Sequence, residues 1–152
     1  MLYHLQAKQF IKSDLNTVWE FISSPLNLAK ITPAYMGFEI LSDARETHMY
    51  PGQIIEYYIK PVAGIRLHWV TEITHVRDKE FFVDEQRFGP YKFWHHKHVL
   101  KEVPGGIEMS DSVHYQLPFG IFGKLAHMLF VKKQLQEIFE YRRQVIEKMF
   151  NQ

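Results

Sequence analysis

Between Gly37 and Pro118 the chain runs through six strand-like stretches with no helical period between them: GFEILSD, GQIIEYYIKP, GIRLHWVTEITHV, EFFVDEQRF, YKFWHHKHVLKEV and GIEMSDSVHYQLP. Short turns containing Gly, Pro or Asp separate them. A parallel sheet needs a long crossover after every strand, so this order specifies an antiparallel meander. Residues 2–12 add a seventh strand, with Leu5, Ala7, Gln9 and Ile11 alternating against Gln6, Lys8, Phe10 and Lys12.

Two helical signals follow the first strand. In SDLNTVWEFISSP, Ser13 or Asp14 caps a helix that places Leu15, Val18, Trp19 and Ile22 at helical spacing, and Pro25 stops it. LNLAKITP reads as a second short helix, ended by Pro33. A long helix closes the chain from Phe122 to Phe150, with Leu125, Met128, Leu129, Leu135, Ile138, Val145, Ile146 and Met149 on one stripe. About 28 residues at 1.5 Å each span about 42 Å, enough to cross the concave face of such a sheet. The expected class is α+β, a seven-stranded curved antiparallel sheet around one long C-terminal helix, as a single domain over 1–152. A bent sheet and a straight rod do not mesh, so a hollow is expected between them.

Composition sets what that hollow holds. Hydrophobic residues make up 46% and aromatics 15%, so the interior is either tightly filled or built around a cavity with aromatic walls. A net charge of +1 gives no electrostatic basis for nucleic-acid binding. The absence of cysteine excludes disulfides, thiolate nucleophiles and cysteine-ligated metal. No signal-peptide pattern and no run of eighteen apolar residues is found, so a cytoplasmic protein without an integral membrane segment is expected.

Three stretches, VWEFISSPLNLAKITP, GPYKFWHHKHVL and MSDSVHYQLPFGIFGKLAH, carry a resemblance to a known group. The sequence resembles the START-related, birch-pollen-allergen-like helix-grip superfamily (SRPBCC) and, within it, the bacterial polyketide cyclase/dehydrase-like branch. The resemblance spans about residues 3–150. It implies the helix-grip fold and an internal pocket for apolar or aromatic ligands. It brings no shared set of catalytic residues.

The polar residues concentrate near the end of the sheet. In YKFWHHKHVL one face carries Trp94, His96 and His98; in GIEMSDSVHYQL the inward face carries Met109, Asp111, Val113 and Tyr115. A four-residue VPGG loop sets Glu102 opposite Ile107, His98 opposite Asp111, His96 opposite Val113 and Trp94 opposite Tyr115; a shorter loop sets Asp111 opposite Leu100. If Gly89 and Pro90 form the preceding loop, Glu85 pairs with Trp94 and Val83 with His96, whereas a bulge replaces Glu85 by Asp84 or Gln86.

Three readings compete for this cluster. His96 and His98 form an H-x-H pair that Asp111 or Glu85 completes as a metal site. A histidine held by a carboxylate also suits acid–base catalysis, which gives His98, His96 and Asp111 as candidate catalytic residues. In the third reading Asp111 is buried and needs a partner, which His98 supplies without chemistry. His95 and His114 are expected on the surface.

The candidate ligand-binding set is Tyr57, Trp69, Glu85, Trp94, His96, His98, Asp111, Tyr115, Leu125 and Met128. Ile55, Ile59, Leu67, Thr71 and Ile73 share the inward faces, while Arg66, His68 and Glu72 point outward. Pro118, Gly120 and Gly123 read as a hinge before the long helix, with Ile121 and Phe122 as a plug or gate, and KPVAG at 60–64 sits at the same rim. The expected partner is a hydrophobic small molecule, with no cofactor and no resident metal. A cyclase- or dehydratase-type enzyme is the second reading. A lipid carrier or interaction module with transient membrane or protein contact is the third.

Overall fold

The structure is a computed structural model that describes residues 1–42, 48–61 and 64–151. Seven antiparallel strands form one curved sheet in the order β1-β7-β6-β5-β4-β3-β2. They are β1 (Tyr3–Ile11), β2 (Glu39–Ile40), β3 (Gln53–Ile59), β4 (Leu67–Arg77), β5 (Phe81–Phe88), β6 (Phe93–Val103) and β7 (Gly106–Gln116). The expected GFEILSD strand shrinks to the two residues of β2, and its last residue, Asp43, lies outside the described residues, as do 62 and 63 of KPVAG.

Helix α1 (Leu15–Ile22) starts at Asp14, whose carboxylate accepts hydrogen bonds from the Thr17 amide at 2.9 Å and the Thr17 hydroxyl at 2.6 Å. The second short helix does not form as expected. Single 3-10 turns at Pro25–Asn27 and Ala34–Met36 stand in its place. The segment between them is too short, and too close to Pro33, to propagate an α-helix. Val18, Trp19 and Phe21 of α1 pack with Ile11, Phe82, Leu100, Ile107, Met109 and Ile146 into one core cluster, of which Phe21, Phe82, Met109 and Ile146 also border the hollow.

The long helix has three parts: α2 (Gly120–Ala126), a π-helical turn (His127–Val131) and α3 (Lys132–Phe150). The extra residue in a π turn rotates everything before it relative to everything after it. The buried stripe is therefore Val131, Leu135, Phe139, Arg142 and Ile146. Leu125, Met128 and Leu129, expected to face the sheet, are 48%, 64% and 69% exposed, which corrects that reading. Gly123 is buried against the Pro118 carbonyl, where a Cβ would collide with backbone; it is a packing contact rather than a hinge. At the far end Asn151 ties α3 to the edge strand, accepting from the Lys12 amide at 2.6 Å and donating to the Phe10 carbonyl at 3.0 Å.

Candidate functional site

The β6–β7 register brings the polar residues together. Trp94 faces Tyr115, His96 faces Val113 and His98 faces Asp111. Glu102 and Ile107 pair as the four-residue loop required, and pairing continues to Val103 and Gly106. The register with Asp111 opposite Leu100 does not occur. On β7 burial alternates without interruption, and Met109, Asp111, Val113 and Tyr115 all point inward.

On β5 the sequence reading is displaced by one residue. Asp84 pairs with His96 and Glu85 with His95, so Asp84 belongs to the inner cluster. Glu85, expected to bind ligand, lies on the outer face, where it bonds His95 Nδ1 at 2.7 Å. A slip of one residue exchanges the two faces of a strand, and here the β5–β6 connection fixes the count. His95 is only partly exposed, and His114 lies between it and His4, stacked on His4 at 4.2 Å.

Inside, two imidazoles are clasped between two carboxylates. His98 Nε2 bonds Asp84 Oδ2 at 2.7 Å, and its Nδ1 stands 2.9 Å from Asp111 Oδ1. His96 Nε2 bonds Asp111 Oδ1 at 2.9 Å, and its Nδ1 is 3.5 Å from Asp84 Oδ2. The two rings lie 3.7 Å apart. Trp94 Nε1 donates to Asp84 Oδ1 at 3.3 Å. From α3, the Arg142 guanidinium approaches Asp111 to 3.6 Å.

Carboxylates only accept, so His98 answers both of its neighbours as the doubly protonated imidazolium. Burial would lower its pKa, but the hydrogen bonds with Asp111 and Asp84 outweigh burial and raise it above 6.5. Burial and then the adjacent His98 charge hold His96 below 6.5, against the pull of the two carboxylates. Burial would raise Asp111, yet the bonds from His96 and His98 keep it well below 3.8. Asp84 is likewise lowered against burial by His96 and His98. The shifts thus favour Asp84 and Asp111 as anions and make His98, rather than His96, the imidazole that holds a proton more strongly.

Ligand atoms of Asp84, His96 and His98 all lie within 4.8 Å of one another, so these are the residues that could hold a metal ion. Binding one would strip the His98 proton and add positive charge beside Arg142. The hydrogen bond between His98 Nε2 and Asp84 and that between His96 Nε2 and Asp111 already engage ligand atoms of this set.

Asp84, His96, His98 and Arg142 form the polar floor of a partly open cavity of about 230 Å³ between sheet and α3. Trp69 and Trp94 cross at 88° with centroids 5.4 Å apart, and Tyr57, Phe38 and Tyr91 extend the aromatic wall. Most polar atoms of this wall are engaged internally. Trp69 Nε1 donates to Thr71 Oγ1 at 3.0 Å, and the Tyr57 hydroxyl meets the same oxygen at 3.3 Å. Tyr115, also a candidate, turns its hydroxyl to His127 at 2.9 Å instead. Leu125 and Met128 do not line the cavity; Leu135, Ile138 and Phe139 represent the helix there. A second opening of about 490 Å³ runs between β1 and α3 and reaches Asp111 and Arg142 from the side.

Sequence reading missed Arg142 and assigned Asp84 only as an alternative. Arg142 lies on the buried stripe of α3, three residues after Phe139 and four before Ile146, and that spacing was the available signal.

A chain-length match in backbone geometry places this arrangement among known folds. A protein from Thermus thermophilus is similar over 96% of this chain and 95% of its own, with TM-score 0.72 and 20% identity. The fold is the START-like helix-grip fold. A START superfamily protein from Mycobacterium smegmatis matches with TM-score 0.71 at 11% identity over 97% of both chains. Ginseng major latex-like protein 151 from Panax ginseng matches with TM-score 0.70 at 14% identity over 98% of this chain and 97% of its own. No protein-family model and no curated protein matches the sequence. Among the described residues no helix is long and apolar enough to cross a membrane.

Proposed function

We propose that the helix-grip hollow binds an apolar small molecule, aromatic, polyketide-like or lipid-like, with its apolar body against Tyr57, Trp69 and Trp94. The observation that carries this reading is the aromatic-walled cavity of about 230 Å³ with a charged floor. Replacing buried ion clusters by apolar side chains is often neutral or stabilising, so stability gives little reason to keep one beneath an apolar hollow. Contact with a guest does. Typical small-molecule pockets hold roughly 300–1,000 Å³, so this smaller volume favours a small guest.

The test is titration with the neutral fluorophore N-phenyl-1-naphthylamine, using a Trp19→Phe variant so that Trp69 and Trp94 alone report. Trp19 packs in the core edge-on to Phe82 and, unlike Phe82, does not line the cavity. Saturable quenching of tryptophan with rising probe emission is expected. An unchanged spectrum for this probe and a panel of apolar compounds would end the reading.

The enzymatic alternative, with His96, His98 and Asp111 in acid–base roles, has one observation in its favour: His96 Nδ1 makes no hydrogen bond among the described residues. Both His98 nitrogens already face carboxylates, which leaves none for a substrate. Binding without turnover is therefore the better-supported reading.

A lipid-contact role has separate support. Phe119, Ile121, Phe122, Met128 and Leu129 stand exposed between Leu117 and Val131, which both line the cavity. Phe119 adopts φ +66 and is 82% exposed. That conformation costs an L residue about 1–2 kcal/mol, so stability alone favours glycine there and apolar contact is what phenylalanine adds. Lys124, Lys132 and Lys133 lie in the same stretch and suit anionic headgroups. Co-sedimentation with vesicles containing phosphatidylserine should weaken in Phe122→Asp at unchanged melting temperature. Equal sedimentation of variant and parent would remove this role.

A further inference from the structure

We infer that Arg142 is the anchor for a carboxylate head group, so that the guest of the cavity is a small apolar acid. This rests on the reading of the hollow as a binding site and names the chemistry of its occupant.

The Arg142 residue is 9% exposed, and its guanidinium makes no hydrogen bond among the described residues. Its Nε is buried without an acceptor. Its one anionic neighbour among the described residues, Asp111, is 3.6 Å away and already accepts from His96 and lies against His98, both at 2.9 Å. It also lies over the face of Phe139, at 5.0 Å. A buried donor left without an acceptor is costly, and a planar five-donor fork matches the two oxygens of a carboxylate in a way that a single hydroxyl or carbonyl does not.

Position agrees with chemistry. Arg142 lines both the aromatic cavity and the lateral opening between β1 and α3. An acyl or aryl tail seated on Trp69 and Trp94 thus shares one cavity with the guanidinium. The lateral opening adds Lys8, Lys132 and Arg143 against Glu140, a surplus of positive charge on the polar side of the site. Lys8 and Arg143 are paired, with Glu108 and Glu140 respectively, which leaves Lys132 and Arg142 as the cations of that opening without a bonded carboxylate among the described residues. The Tyr91 and Ser24 hydroxyls also line the cavity without a hydrogen bond among the described residues, but each offers a single neutral donor rather than a charged fork.

Displacement of N-phenyl-1-naphthylamine by decanoate and by decanol, at pH 7 and fixed salt, tests this. The tails are nearly equal and only the head differs. Decanoate is expected to bind about 10- to 100-fold more tightly, the range of a hydrogen bond to a charged group. Arg142→Met is expected to erase that ratio while leaving decanol affinity within a few-fold, and Arg142→Lys to retain part of it. Should Arg142→Met fail to fold, the Arg142 Nε–H resonance of the unaltered protein decides, because it must shift with decanoate and stay in place with decanol. Equal affinity for acid and alcohol, or an acid preference that survives Arg142→Met, overturns the anchor while the cavity reading stands. If the fluorophore itself does not bind, both fall together.

Discussion

Removing one partner from a buried ionic group costs more than the pair contributes, because the survivor keeps its charge and loses its compensation. His98 serves two carboxylates at once, so His98→Ala leaves Asp84 and Asp111 both short of a donor. The expected loss is about 3–5 kcal/mol, read as a lower denaturant midpoint at an unchanged slope. His95→Ala, on the outer face beside Glu85, is expected to change stability by less than about 1 kcal/mol. Similar losses for the two would mean that the inner clasp is not holding as described. A His98 variant that kept full stability and guest affinity but lost a turnover would instead revive the enzymatic reading.

At the scale of elements, what could be read from the sequence depended on where counting was safe. Strands β6 and β7 alternate without a break across a tight turn, so His96, His98, Trp94, Asp111 and Tyr115 were all legible as one inward set. Strand β5 was not, because a one-residue difference in the β5–β6 connection swaps Glu85 for Asp84. The long helix was legible as an element but not in its phase. The π turn at His127–Val131 has no composition that announces it, and it sends Leu125 and Met128 to solvent while turning His127 onto Tyr3, at 3.5 Å between rings. Arg142 was hidden by the usual rule that charge faces water. The start of this helix also offers a test in which two terms oppose. Gly123→Ala gains about 1 kcal/mol of helix propensity. It also drives a methyl into the Pro118 carbonyl, a backbone contact that cannot rotate away, at about 1–3 kcal/mol or more. The clash wins, and Gly123→Ala is expected to melt at lower temperature than the parent. A rise in melting temperature would show that α2 shifts freely.

For the whole molecule, the inner cluster dictates the pH profile of stability. The His98 pKa is raised, so its contribution is complete below pH 6.5 and fades as pH climbs through the raised value. His96 is depressed, so its contribution is present above pH 6.5 and is lost as pH falls through the lowered value. Asp84 and Asp111 are lowered, and their contributions vanish only as pH falls below 3.8 through their folded values. Stability should therefore peak near pH 6.5, with a first acid loss from His96 and a second from the carboxylates. Denaturant midpoints measured across the acid and mildly alkaline range check this, and His96→Gln should shrink the first acid step, leaving the part that His114 and His127, also lowered, contribute. A profile flat on both sides of neutrality would contradict the charge assignment.

The aromatic wall has a consequence for discrimination. Because Trp69, Trp94 and Tyr57 spend their polar atoms on Thr71 and Asp84, they offer a visitor ring faces and little else. Such a lining measures girth and length but cannot spell out a molecule. One methylene more or less then shifts affinity by about 10- to 200-fold at most, and compounds that share a head group and a like shape compete on nearly even terms.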